Sequence, residues 1–249
     1  MGKSFGTSFF GIIDNAANTL RKPDYKCFHR EGDGELRYFR PIDGDIPTLE
    51  NTTELDAIIC LGSAKSAYDD DQWMLELCEF FRSIANTKLK LFGSCFGHQL
   101  INKAFGGTVT KNVDQGFIFG ADGIKISIPE DLGDSAISML LEDGTSLKML
   151  QSHGDEVVTL GEGARLLGSS ERCLNEVVLV RGNILTMQCH PDLTPELMMT
   201  NIWPAISGRG RGLLIQLIRT NLDEMRNGEE TFNCVHILAW HLDFELEVD

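Results

Sequence analysis

The sequence predicts an α/β protein: a three-layer sandwich with a central, mostly parallel sheet flanked by helices, plus a small antiparallel extension. Three observations carry that expectation. Apolar runs at residues 9–13, 55–61, 89–92 and 185–189 have the near-continuous hydrophobicity of strands buried on both faces. In the first half of the chain, segments with helical spacing alternate with these runs, the β-α-β order that lays helices on a parallel sheet. Residues 108–180 change character: Ile124-Lys125-Ile126-Ser127-Ile128 alternates apolar and polar, as do parts of 176–180, the pattern of half-exposed antiparallel strands.

Taken in order, residues 9–13 form a strand that stops at Asp14-Asn15, and residues 36–39 a short strand between turns rich in Gly, Asp and Pro. The strand at 55–61 ends at Gly62-Ser63. Over residues 72–84, Trp73, Leu75, Leu77, Cys78, Phe80, Phe81 and Ile84 recur at helical spacing between Glu76, Glu79 and Arg82, which predicts a covering helix. Residues 89–92 form the next strand, 93–97 a tight connection, and 99–105 a helix stopped by Gly106-Gly107. After the strand at 185–189 comes His190-Pro191-Asp192 and a helix that starts near Thr194-Pro195-Glu196. Residues 208–212 read as a flexible Gly-Arg loop, 213–225 as a final amphipathic helix, and 243–249 as a solvated acidic tail.

At 249 residues the chain is expected to form one domain over 1–249. The net charge of −15 repels nucleic acid and anionic membrane surfaces, and no basic patch offsets it. Seven cysteines without paired spacing point to a reducing compartment rather than a disulfide framework. Cys27, Cys60, Cys78, Cys173 and Cys234 read as small buried hydrophobes. No Cys-x-x-Cys pair or zinc-type His spacing occurs, so neither metal nor cofactor is expected. Residues 1–15 lack a basic segment followed by a long apolar one, and the expectation is a cytoplasmic protein.

The segment Gly93-Ser94-Cys95-Phe96-Gly97 places a thiol at a strand-to-helix corner, near the positive end of the helix dipole, with glycines on both sides. Such a corner favours a thiolate and aims the backbone N–H of Phe96 at a developing oxyanion. Taken alone, the segment is equally compatible with a structural thiol in a turn.

Gly93-Ser94-Cys95-Phe96-Gly97-His98-Gln99 resembles the nucleophile segment of class I glutamine amidotransferases, and His190-Pro191-Asp192 falls where that family carries His-Pro-Glu. Between them, Ser152-His153-Gly154-Asp155-Glu156-Val157 resembles the family's Ser-His-x-Asp-x-Val segment. The likeness runs over about residues 55–195. Gly62-Ser63-Ala64-Lys65-Ser66-Ala67-Tyr68-Asp69-Asp70-Asp71-Gln72-Trp73 is similar to a pattern of the γ-glutamyl peptidases of plants, a branch that hydrolyses γ-glutamyl bonds without a synthetase. The resemblance implies a flavodoxin-like sandwich and a cysteine hydrolase of γ-glutamyl amides: glutamine, glutathione or γ-glutamyl peptides. Two other readings stay open: a glutaminase subunit that feeds ammonia to a separate synthetase, and an inactive binding domain.

By that resemblance Cys95 is the nucleophile, His190 the base, and Gly62 and Phe96 the oxyanion donors, with Gln99 in the substrate pocket. Asp192 would orient His190. It stands where the family has Glu and is one methylene shorter, so Glu196 is an alternative, and a helix N-cap fits Asp192 equally well. Gly62 also fits a plain strand-ending turn, and Gln99 a helix surface. His98 is expected to point outward. His153 and Asp155 would shape a loop, and Asp69, Asp70 and Asp71 a solvated helix cap.

Overall fold

The computed structural model describes residues 9–15, 34–114, 116–132 and 141–207. The loop at 208–212, the helix at 213–225, the tail at 243–249, and Cys27 and Cys234 lie outside the described residues. The strands are β1 (Phe10–Ile13), β2 (Arg37–Phe39), β3 (Ala57–Cys60), β4 (Lys90–Ser94), β5 (Thr108–Lys111), β6 (Ile118–Ile126), β7 (Ser146–His153), β8 (Asp155–Thr159), β9 (Ala164–Ser169), β10 (Val177–Val180) and β11 (Ile184–Met187). Nine of them form one sheet in the order β2-β1-β3-β4-β11-β10-β9-β6-β7, while β5 and β8 form a separate antiparallel pair.

The sheet is mixed. Strands β2, β1, β3, β4 and β11 run parallel, whereas β11–β10, β10–β9, β9–β6 and β6–β7 pair antiparallel. The antiparallel part is therefore four of nine strands within the same sheet rather than a small extension. The reversal happens between β10 and β11, where Arg181 at φ 51° and Gly182 at φ 81° close a hairpin too short for a crossover helix.

Strand β10 also corrects the expectation of half-exposure. All four of its residues are buried, because Val177 and Leu179 enter the core on one face while Val178 and Val180 enter the core on the other. The second of these cores lies under two helices, α1 (Gln72–Ile84) and α2 (Phe96–Ala104). On α1, Met74, Leu77, Cys78, Phe80, Phe81 and Ile84 face inward, and Leu75 turns outward. On the opposite face Phe10, Ile12, Ile59 and Phe92 meet Ile124, Ile126 and Met149 of β6 and β7. Among the described residues α1 and α2 cover the second core, and a further helical segment at 195–207 packs Met198 and Trp203 against Phe119 of β6 and Leu150 of β7.

Strand β4 is longer at its end than the sequence suggests, and α2 starts earlier. Gly93 belongs to β4 and Gly97 to the first turn of α2, so the connection is Cys95 alone. The glycines are there for close packing: a methyl group on Gly97 would lie 2.2 Å from the Cys60 carbonyl oxygen, and one on Gly93 2.5 Å from Ile101 Cδ1 and 2.9 Å from the Gly97 carbonyl carbon. Gly97 is what lets α2 sit on β3. Gly97→Ala is expected to destabilise the protein by about 3 kcal/mol, because backbone rather than a movable side chain blocks the methyl. Chemical denaturation checks this; a variant as stable as the parent would contradict the packing described.

Candidate active site

Three parallel strands end together at the carboxyl edge of the sheet, the position where open α/β sheets place ligands. Strand β3 runs into Gly62, β4 into Cys95, and β11 through Gln188 and Cys189 into His190. Cys95 is the N-cap of α2 and holds φ 52° and ψ −106°, a backbone state costing a non-glycine residue about 1–3 kcal/mol. Two bonds hold it there: its N–H donates to the Met187 carbonyl at 2.9 Å, and its carbonyl accepts the Gln99 N–H at 3.1 Å. The sulfur faces the Ser152 carbonyl at 3.8 Å and is nearly buried. The N–H of Phe96, in the first turn of the helix, has no carbonyl of its own helix to bond.

His190 is buried, its N–H bonded to the Leu150 carbonyl at 2.8 Å. Its Nδ1 donates to Asp192 Oδ1 at 3.3 Å, the long end of the hydrogen-bond range, as suits a carboxylate one methylene shorter than Glu. The ring stands beside the Cys95 sulfur, the two bordering the same side of Gly62. Burial by itself pushes the imidazole pKa down, but the Cys95 thiolate and the Asp192 carboxylate outweigh it and raise the pKa to about 10. Gly62 completes the group, since a methyl on it would stand 3.3 Å from His190 Cε1, 3.7 Å from Cys95 Cβ and 4.0 Å from Sγ.

The alternatives for Asp192 separate cleanly. The helix cap is Thr194, whose Oγ1 accepts the Leu197 N–H at 3.2 Å. Glu196 is exposed in the first helical turn, whereas Asp192 is the carboxylate on the His190 ring. Ser94 Oγ donates to the Cys189 carbonyl at 3.0 Å and lies 3.5 Å from Asp192 Oδ1, tying β4 to the turn that carries the carboxylate.

Gln99 is buried, not on the helix surface, and its amide hydrogens go to the Asp155 carbonyl at 2.9 Å and Gln188 Oε1 at 3.1 Å. His98 does not point outward: it is fully buried with Nδ1 2.8 Å from Thr186 Oγ1, and burial lowers its pKa to about 3. The reason is the earlier start of α2, which turns position 98 toward β11. A neutral His98 gives a thiolate no charge. His153 is likewise buried, with Nδ1 donating to the Asp155 carbonyl at 2.9 Å, and burial lowers its pKa to about 4.

Asp155 joins two of the segments picked out in the sequence. Its carboxylate accepts Ser66 Oγ at 2.6 Å and the Tyr68 hydroxyl at 3.1 Å, which fastens the loop after Gly62 to the turn after β7. The same loop is held by Ser63 Oγ on the Asn15 carbonyl at 2.9 Å and by Asn15 Nδ2 on the Leu61 carbonyl at 3.0 Å. The acidic triplet is taken up piecewise: Asp69 accepts the Ser66 N–H, Asp70 pairs with Lys103, and Asp71 with Lys65 at 2.9 Å. Among the described residues no group of three or more His, Cys, Asp or Glu side chains is arranged to hold a metal ion, and no helix is long and apolar enough to cross a membrane.

Residues 38–204 match the family model described as glutamine amidotransferase class-I. The chain belongs to the class I glutamine amidotransferase family. Gamma-glutamyl peptidase 2 of Arabidopsis thaliana is 32% identical over 176 residues, covering 70% of this chain and 67% of that protein. A putative glutamine amidotransferase-like protein of Schizosaccharomyces pombe is 30% identical over 166 residues, covering 64% of this chain and 62% of its own. The matched region thus spans about two thirds of these relatives. In fold, the chain is similar to a glutamine amidotransferase from Thermotoga maritima, with a TM-score of 0.71 and 17% identity over 96% of this chain and 97% of that one.

Within this amidotransferase domain the sequence overlooked Asn15, the Ser66-Tyr68-Asp155 clasp, and Gln151, Glu176 and Gln188, polar residues embedded in or beside apolar strands. That mismatch of residue type with its surroundings was the available signal for the last three. The geometry also predicts selective chemistry at one thiol. Iodoacetamide at pH 7 should label Cys95 ahead of Cys60, Cys78, Cys173 and Cys189, which are buried and whose pKa values burial raises. His190→Ala should slow labelling of Cys95 about tenfold or more, because the partner that favours the thiolate is gone. Peptide mapping by mass spectrometry reads both; equal rates in parent and variant would contradict the Cys95–His190 contact.

Proposed function

We propose that the protein is a cysteine hydrolase of γ-glutamyl amide bonds, acting on glutamine, glutathione or γ-glutamyl peptides and conjugates. The observation that carries this reading is the Cys95 sulfur at a strained helix N-terminus, beside a His190 ring whose Nδ1 bonds Asp192. The γ-glutamyl peptidases among the relatives supply the bond type.

In the proposed reaction the Cys95 thiolate attacks the γ-carbonyl carbon, and the carbonyl electrons move onto an oxygen that faces the N–H groups of Gly62 and Phe96. As the tetrahedral adduct collapses, the C–N bond breaks and His190 gives its proton to the departing amine. The remaining glutamyl thioester is cleaved by water, which loses its proton to His190 and releases glutamate and the thiolate. Asp192 holds Nδ1–H throughout, so that Nε2 faces the reacting atoms. Gln99 acts indirectly, its amide holding the Asp155 carbonyl and Gln188 Oε1 instead of facing the substrate.

Because β7 and the 62–71 loop already close around the thiol within one chain, hydrolysis without a synthetase is the favoured reading over an ammonia-delivering subunit. The Asp192 contact on the ring speaks against an inactive binding domain. A purified sample should release glutamate from at least one of glutamine, glutathione or a γ-glutamyl dipeptide, and Cys95→Ala should not. Asp192→Ala is expected to lower kcat about 100-fold or more, with Asp192→Glu recovering much of the loss. No turnover of any of these compounds, alone, would overturn the proposal, and stimulation only by a copurifying synthetase would replace it with the subunit reading.

A further inference from the structure

We propose that Glu176 is a positioning residue of this site, acting as a neutral carboxylic acid in a reciprocal pair with Gln151; the part it plays in turnover rests on the reading of Cys95 and His190 above. Both side chains are fully buried. Gln151 Nε2 donates to Glu176 Oε1 at 2.9 Å, and Ser170 Oγ donates to the same oxygen at 2.8 Å. The other two atoms of the pair, Gln151 Oε1 and Glu176 Oε2, are buried without a hydrogen-bond partner among the described residues. In an ionised Glu176 both are acceptors and neither can serve the other. One proton on Oε2 turns it into a donor for Gln151 Oε1, and a single protonation event satisfies two otherwise orphaned atoms.

The surroundings agree. The cation that acts on Glu176 is Arg172, and its guanidinium is bonded to Asp122 at 2.9 Å and to the Ala121 carbonyl at 3.1 Å. Asp122 on β6 disfavours a charge on Glu176, and the neighbours Cys173, before β10, and Cys189, after β11, are buried thiols. Burial raises the Glu176 pKa from 4.5 to about 7, against the opposing effects of the Ser170 and Gln151 hydrogen bonds.

The pair stands directly behind the candidate nucleophile. Gln151 lies between Leu150, whose carbonyl holds the His190 N–H at 2.8 Å, and Ser152, whose carbonyl faces the Cys95 sulfur at 3.8 Å. Glu176 accepts the Gln188 N–H on its own carbonyl at 2.8 Å, and Gln188 in turn holds Gln99. The acid–amide pair therefore joins β7 to the start of β10, and the Glu176 backbone carries the link on to Gln188, two residues before His190. Ionisation sets a charged oxygen against the Gln151 carbonyl oxygen and opens that joint.

Glu176→Gln tests this, because a carboxamide reproduces the neutral acid: its oxygen accepts from Gln151 Nε2 and its N–H donates to Gln151 Oε1. The parent should lose kcat above pH 7. The variant should keep parental kcat at pH 6 and move its alkaline limb upward by at least one unit, toward pH 10, where His190 gives up its proton. Glu176→Ala should lower kcat more than it changes KM, at every pH. Unfolding supplies a reading independent of turnover. The folded protein binds the Glu176 proton more tightly than the unfolded chain, so its stability relative to Glu176→Gln falls as pH rises from about 4.5 to 7 and is level above that. The ratio of unfolding constants should change by about tenfold per pH unit in that window. Equal pH slopes of stability for parent and Glu176→Gln would overturn the neutral pair even if no γ-glutamyl compound is turned over. A Glu176→Gln variant as impaired at pH 6 as Glu176→Ala, or one that keeps the parental alkaline limb, would overturn its positioning role.

Discussion

Strand β4 passes into helix α2 through Cys95 alone, and the passage is possible because Gly93 and Gly97 let helix and strands come together without side chains between them. The Cys60 carbonyl lies where a Gly97 side chain would begin. That closeness leaves a single residue to reverse the chain, which puts Cys95 at positive φ with its amide on the Met187 carbonyl. The sulfur then stands clear of both elements, at the helix end where the backbone dipole favours a negative atom. The strain at Cys95 is maintained by packing on three sides rather than by any side chain of its own.

The antiparallel half of the sheet closes the site. Strand β7 lies at the far edge in strand order, yet its end reaches the parallel strands, with Leu150 on His190 and Ser152 on Cys95. The turn that follows fixes Gln99 and His153 through the Asp155 carbonyl, and the Gly62 loop through the Asp155 carboxylate. Strand ends, loop and helix are thus held by one residue's two polar groups, which gives the Ser152-to-Asp155 segment a physical reason to border the candidate site.

Much of this was legible in the sequence, and the failures have a common cause. Buried strands announced themselves as apolar runs, and α1 by its spacing. Cys95 stood out by its glycine-flanked corner, His190 and Asp192 were picked out by the resemblance to the amidotransferase family, and the structure brings the three together. The start of α2 was misplaced because Gly97 reads as a turn residue when only the turn's own sequence is considered. Its reason lies across space, in the Cys60 carbonyl. The outward placement of His98 followed from the same slip. The antiparallel character of 176–180 was legible, but its burial was not, because the cores that enclose β10 on both faces come from distant segments. Contacts through the carbonyls of Leu150, Ser152 and Asp155 leave no mark on residue identity at all, so the closing role of β7 was invisible.

The proposed chemistry comes down to a covalent event at one sulfur. Rapid-quench mass spectrometry with γ-glutamyl-p-nitroanilide reads it directly, by following acyl transfer to the protein during the first turnover. The account predicts a glutamyl group on the peptide that contains Cys95, formed before steady state and absent from Cys95→Ala. Release of p-nitroaniline with no acylated enzyme, or with the glutamyl group on another residue, would contradict it.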